Sequence, residues 1–210
     1  FDGVMNGLRK MRDLEAVSRL RLGTTIATNA ILQRNGAKVA YITTKGFRDI
    51  PFIQHGNRKS HYDMTWIKAK PLALRRHCYE LDERLDKNGD VVNPLNDNEV
   101  RALACKIGNE GEVEAVAVNF LFSYVNPAHE LRVKKIFAEE LPNMPLSISY
   151  EVLPKWKEYE RASTTLADAY VKPLVAQSFE SMKQRFAAVG LNDRVAVMKS
   201  NGGESSFSGA

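Results

Sequence analysis

Four short stretches carry residue types and spacings that could do chemistry. Gly23-Thr24-Thr25, in "RLGTTIATNAIL", stands where an apolar run hands over to a helical pattern, with Asn29 one turn further along the same face. Backbone amides and hydroxyls at such a junction can hold a phosphate or a carbonyl oxygen, and threonine is equally a common helix cap. Ser200-Asn201-Gly202-Gly203 follows the last predicted strand. Its glycines suit either a tight turn or close approach of backbone to a ligand, and the pattern is not the GxxxxGK[ST] phosphate loop. His55, His61 and Asp63 are three potential metal ligands within nine residues. Their spacing matches no helical face, so no metal is assigned to them. Arg161-Ala162-Ser163-Thr164-Thr165 places three hydroxyls inside a predicted helix, where small side chains signal close packing. Glu158, Glu160 and Arg161 read as surface ion pairs. No Ser/His/Asp or Cys/His nucleophile signature occurs.

The elements that must position these residues follow from pattern. "SRLRLGTT" predicts a short strand ending at Gly23, and "IATNAILQRNG" a helix closed by Asn35-Gly36. "AKVAYITT" predicts a strand, and "KGFRDIPFIQHG" a short helix broken by Pro51. "HCYELDERLDKNGDVVNPL" predicts a β-hairpin around Asn88-Gly89. "EVEAVAVNFLFSY" is apolar almost throughout, as a parallel strand buried on both faces requires. Asn126 and Pro127 predict the start of a helix whose Val133, Ile136, Phe137 and Leu141 share one face. "MPLSISYEVLP" predicts the next strand. A long helix follows, kinked or restarted at Pro173, then the strand "RVAVMKS". Strands alternating with helices predict an α/β fold with parallel sheets covered by helices.

Composition bounds the function classes. The 210 residues are 44% apolar and 26% charged, as in an ordinary globular protein, and contain no apolar run long enough to span a membrane. No signal-peptide pattern opens the chain, which starts in mid-helix and without Met, so it reads as part of a longer protein. Cys78 and Cys105 are too few for a disulfide framework and read as reduced thiols of a cytoplasmic protein. The net charge of +5 is mild. It is uneven, with Arg58, Lys59, Lys68, Lys70, Arg75 and Arg76 against the single acid Asp63 between Gln54 and His77, and with Tyr62 and Trp66 interleaved. Such a tract could hold a phosphate backbone and stacked bases, or could face another subunit. No nucleic-acid motif accompanies it, so a nucleic-acid role is the weaker reading.

In their order, GTT-x-ATNA, TTKGFRD, SY-x-NPAHE, EYERxSTT and SNGG closely resemble the hydantoinase A/5-oxoprolinase family across nearly the whole chain. "HGNRKSHYDMTWIKAKPL" looks more like the ketone-carboxylase branch. The resemblance implies a partial actin-like (ribonuclease H-like) ATPase fold. It divides the chain into an N-terminal region, 1–155, and the start of a core domain, 156–210. The former comprises a first-lobe remnant (1–56), a connecting segment (57–77) and a second α/β unit (78–155). It implies ATP- and Mg²⁺-dependent activation of an amide carbonyl for ring opening of a lactam or hydantoin. The alternative is activation of a ketone for carboxylation. A hydantoinase B-like subunit or domain is the implied partner. Gly23, Thr24, Thr25, Asn29, Asn201, Gly202 and Gly203 become candidates to lie near substrate or phosphate. Leu22 stands where many relatives carry His, so no acid–base role passes to that position. Both glycine-rich phosphate loops of the family fall outside these 210 residues, and the chain alone is expected to be inactive.

Overall fold

A computed structural model describes residues 2–11, 16–56, 62–191, 194–198 and 202–206. The first half of the chain contains α1 (Asp2–Arg9), β1 (Leu20–Leu22), α2 (Ile26–Gln33), β2 (Val39–Thr44), α3 (Ile50–Ile53), β3 (Cys78–Leu81), β4 (Arg84–Leu85), β5 (Val91–Asn93) and α4 (Asp97–Glu110). The second half contains β6 (Ala115–Asn119), α5 (Ala128–Glu140), β7 (Leu146–Ile148), α6 (Ser149–Val152), α7 (Glu158–Ala187), β8 (Val195–Met198) and β9 (Glu204–Ser205). Two compact units share these elements: residues 1–34 with 174–210, and residues 35–173. They are interleaved in sequence.

The larger unit is built on a parallel sheet of order β3-β2-β6-β7. All six residues of β2 and all five of β6 are buried. Alternation sorts them between two cores. Ala40, Ile42, Val116 and Val118 pack with Val100, Ala104 and Ile107 of α4 and with Val133, Ile136 and Phe137 of α5. Val39, Tyr41, Ala115 and Ala117 face Ala162, Leu166, Ala169 and Tyr170 of α7. Alanines on both sides of that second layer let the helix lie close to the sheet. A strand apolar on both faces needs this double cover. Residues 39–44 therefore sit at the centre of the same sheet as residues 115–119.

In the smaller unit β1 pairs in parallel with β8, and β9 returns antiparallel on the other side of β8. Leu22, Phe179, Met182, Phe186, Val195 and Val197 form its core with Met5 and Leu8 of α1.

Several local expectations change. Cys78–Leu81 pairs with Tyr41–Thr44 in the parallel sheet, so only β4 and β5 form the hairpin, with Gly89 at φ 88° in its turn. Pro51 falls in the first turn of α3, where its missing N–H is not needed, and begins the helix instead of breaking it. The strand expected over "MPLSISYEVLP" stops at Ile148 and turns into α6. The helix α7 continues through Pro173, and the division between the units falls there. Arg34, not Gly36, closes α2 in the left-handed conformation.

Gly36 is glycine for another reason. A Cβ there would lie 2.3 Å from Cε1 and 2.7 Å from the carbonyl oxygen of Tyr170, and that carbonyl accepts the Ala37 N–H at 2.9 Å. Gly36→Ala is expected to destabilise the larger unit by about 1–3 kcal/mol, because a backbone atom and not only a ring must give way. Urea unfolding monitored by circular dichroism checks this, and an unchanged midpoint would contradict it.

Candidate functional site

The sequence-predicted residues gather at one edge of the smaller unit. Leu22 lies opposite Val197 in the parallel pair β1–β8, so Gly23-Thr24-Thr25 leaves β1 beside the C-terminal end of β8. Gly202 and Gly203 directly precede β9, with Gly202 at φ 82°. Gly23, Thr24, Thr25, Asn29, Gly202 and Gly203 are all exposed; Asn201 lies outside the described residues. Among the described residues, and apart from its two chain neighbours, no atom comes within 4 Å of where a Cβ on Gly23 would stand. Thr25 occupies the N-cap position of α2 without capping it through its side chain. Its hydroxyl instead receives Asn29 Nδ2 at 3.3 Å, while the Thr24 hydroxyl takes the Ile26 N–H at 3.3 Å. The carboxylate at this edge, Glu204, is bridged to both Arg19 and Arg21.

A second polar constellation, which the sequence did not reveal, fills the C-terminal ends of the parallel strands in the larger unit. Glu130, in the first turn of α5, is fully buried and accepts three hydrogen bonds. These come from Phe120 N–H (2.9 Å), Ser149 Oγ (2.7 Å) and Tyr150 N–H (2.9 Å). Arg161 is also fully buried; its Nη1 donates to Ser123 Oγ at 2.7 Å and its Nη2 to the Phe120 carbonyl at 2.8 Å. The guanidinium lies 5.2 Å from the centre of the Tyr124 ring. Among the described residues no carboxylate lies within 4 Å of it, which corrects the expectation of a surface ion pair. Position 161 borders the Ala162–Leu166–Ala169 face of α7 and is carried inward with it. Glu83 takes His129 Nδ1 at 2.6 Å and the Thr44 hydroxyl, and the same Thr44 oxygen accepts the Leu121 N–H at 3.1 Å.

Burial raises the Glu130 carboxyl pKa above its ordinary 4.5, against the pull of its hydrogen-bond donors. Burial likewise lowers that of Arg161, with Glu130 the foremost charge opposing the drop. A carboxyl with a raised folded-state pKa binds its proton more tightly in the folded chain. Its contribution to stability is therefore greatest below the unfolded value and is lost as pH rises through the raised one. Glu130→Gln removes that titration. The stability of the variant minus that of the wild type should grow as pH rises from about 4.5, measured by urea unfolding across pH 4 to 8. A constant difference would contradict it.

The remaining candidates separate. Thr165 is buried with its hydroxyl on the Arg161 carbonyl, as close packing predicted. His55 meets Glu160 at 3.5 Å and the edge of Tyr159, while His61 lies outside the described residues. No three His, Cys, Asp or Glu converge as metal ligands among the described residues. Burial pushes the Cys78 thiol up to about 12. In the basic tract, Lys68 donates to the Ile53 carbonyl, Arg75 pairs with Asp49 and Arg76 with Glu112. No described helix is long and apolar enough to cross a membrane.

The class is thus an α/β protein with parallel and mixed sheets under helices, displaying small polar loops at strand ends. The chain belongs to the hydantoinase/oxoprolinase family. The model of that family's N-terminal region matches residues 1–141, and the hydantoinase/oxoprolinase model matches 161–210. A Methanocaldococcus jannaschii protein is 38% identical over 98% of the chain, and the caprolactamase subunit alpha of Pseudomonas jessenii 32% identical over 86%. The crystal structure of the ATP-dependent caprolactamase from P. jessenii covers 98% of the chain with a TM-score of 0.87 and 28% identity. A nucleotide-free acetone carboxylase structure covers 98% with 0.80 and 26%. The chain spans 31% and 26% of the lengths of the two sequence relatives, and 31% of each structure.

Proposed function

We propose that the full-length protein is an ATP-dependent enzyme that opens a lactam or hydantoin ring, in a cytoplasmic assembly with a hydantoinase B-like subunit or domain. The observation that carries this reading is the parallel register of β1 and β8, which sends the Gly23-Thr24-Thr25 loop and the Gly202–Gly203 turn out of one sheet edge. Open α/β sheets offer ligands their loops at that edge. ATP with Mg²⁺ supplies a phosphoryl group that turns the amide oxygen into a leaving group. The residues of this chain would orient and bind. Gly23 leaves room for an oxygen to approach the backbone, and Thr24, Thr25 and Asn29 offer hydroxyls and an amide to a carbonyl or phosphate oxygen. These donors fit phosphate or carbonyl contact. They do not fit Mg²⁺ ligation, because Glu204 is taken by two arginines. The metal and the nucleotide's main grip are therefore assigned to the actin-like phosphate loops outside the 210 residues, which alone should not turn over ATP.

The likeness to acetone carboxylase supports the second reading, ketone carboxylation. A subunit-facing role suits the tract 54–77 better than nucleic acid, since Lys68, Arg75 and Arg76 are engaged within the chain while Tyr62, Met64 and Ile67 are exposed; Arg58 and Lys59 lie outside the described residues. Phosphate release from ATP by the full-length assembly decides between the enzymes. Stimulation by a lactam or hydantoin, with ring-opened product, is the expected result. Stimulation by a ketone that also needs bicarbonate would move the assignment to carboxylation, and no stimulation by either would overturn both.

A further inference from the structure

We infer that a cavity in the larger unit binds a small monocarboxylate with an apolar body, gripped at its charged end by Arg84. The cavity holds about 600 Å³, within the range of small-molecule sites. Phe47, Ile50, Ile53, Leu121 and Phe122 supply its apolar walls. Arg84 reaches it from β4, with its guanidinium carbon 5.2 Å from the Phe47 ring centre and 6.0 Å from that of Phe122. The rings hold the cation without neutralising it. Among the described residues it forms no ion pair. A guanidinium so placed presents the planar donor fork that matches a carboxylate.

The charge balance selects a monoanion. Elsewhere in the lining, Glu160 is shared by His55 at 3.5 Å and Lys157 at 3.8 Å, and Glu158 adds a further negative charge. Those acids repel a phosphate or nucleotide, while the Arg84 end still suits one negative charge beside apolar surface.

The wall is also rigid. Phe120 N–H is tied to Glu130 and its carbonyl to Arg161, and Leu121 N–H to Thr44. The Phe122 carbonyl accepts the amides of Val125 (2.9 Å) and Asn126 (3.2 Å). This lattice of bonds holds Phe122 at φ 58°, a strained backbone for an aromatic residue. Gln54 (φ 56°) and Lys157 (φ 79°) line the same cavity, so it collects three of the four positive-φ non-glycine residues described. Strain of this kind persists where surrounding structure over-determines it, and it clusters at ligand sites. A pre-shaped wall spares a ligand the cost of ordering it.

The inference does not depend on the ATP reading, and its test is a binding measurement without nucleotide. Benzoate and hexanoate are titrated calorimetrically into the full-length protein, with benzamide and hexanamide as neutral counterparts. Each carboxylate should bind at least about tenfold more tightly than its amide, the contribution expected of a charge-assisted pair. Arg84→Gln should abolish that preference. Ile53→Trp, at an exposed lining position, should block all four probes by filling the space, and it keeps the test open if Arg84→Gln fails to fold. Equal affinity for acid and amide would overturn the inference. So would no binding of either acid up to about 10 mM, a preference that survives Arg84→Gln, or binding that is unchanged in Ile53→Trp.

Discussion

Arg161→Ala should cost the larger unit about 3–5 kcal/mol and lower its melting temperature by roughly 10 °C. The guanidinium is fully buried, and its two hydrogen bonds join Phe120 and Ser123 to α7. Truncation would take one donor from the Ser123 hydroxyl and one from the Phe120 carbonyl, which among the described residues would keep only Ser123 Oγ at 3.1 Å. It would also open a cavity against Tyr124. Arg161→Lys should recover less than half of the loss, since a single ammonium cannot span two acceptors as the planar fork does. A double variant, Arg161→Met with Glu130→Leu, should be much milder than the two single losses added together, because apolar side chains replace both buried charges at once. Urea unfolding at one pH of the wild type, Arg161→Ala, Arg161→Lys, the singles Arg161→Met and Glu130→Leu, and the double variant measures these quantities. A loss below about 1 kcal/mol for Arg161→Ala would mean that the network carries little of the stability assigned to it.

What was legible in the sequence is what local pattern encodes. The apolar runs 39–44 and 115–119 announced strands covered on both faces, and Asn126 announced the start of α5; its side chain accepts the Ala128 N–H at 3.0 Å. The strand-end positions of these loops were legible because glycine and threonine punctuate the change from a strand pattern to a helical one. The pairing of Cys78–Leu81 with Tyr41–Thr44 was hidden, since partner choice in a parallel sheet depends on residues far apart in the chain. The same holds for the buried network. Arg161 bonds to residues 38 and 41 positions away, and Glu83 reaches His129 across 46. One signal was present. His129 and Glu130 stand four and three residues before Val133 and so extend the apolar stripe of α5 with groups that must find partners inside.

In the full-length protein, Thr25→Val should lower substrate-stimulated ATP turnover by more than about tenfold while leaving the melting temperature nearly unchanged. Threonine at an N-cap is worth about 1 kcal/mol when its oxygen caps the helix, and that oxygen does not do so here. Among the described residues its hydroxyl makes a long contact, 3.3 Å from Asn29 Nδ2, on an exposed surface. Valine keeps the shape and the backbone bond from Asn29 N–H to the Thr25 carbonyl at 2.8 Å. Removing the hydroxyl therefore takes little from the fold, and a large effect on turnover requires a partner that the isolated chain does not supply. A carbonyl or phosphate oxygen at the C-terminal edge of β1 is such a partner. Thr24 makes an internal control: its hydroxyl already serves the Ile26 N–H at 3.3 Å, so Thr24→Val should lower stability as well as turnover. Steady-state kinetics and thermal melting of the two variants side by side separate the roles. If Thr25→Val loses activity only in proportion to a fall in melting temperature, the residue supports the helix and contacts no ligand.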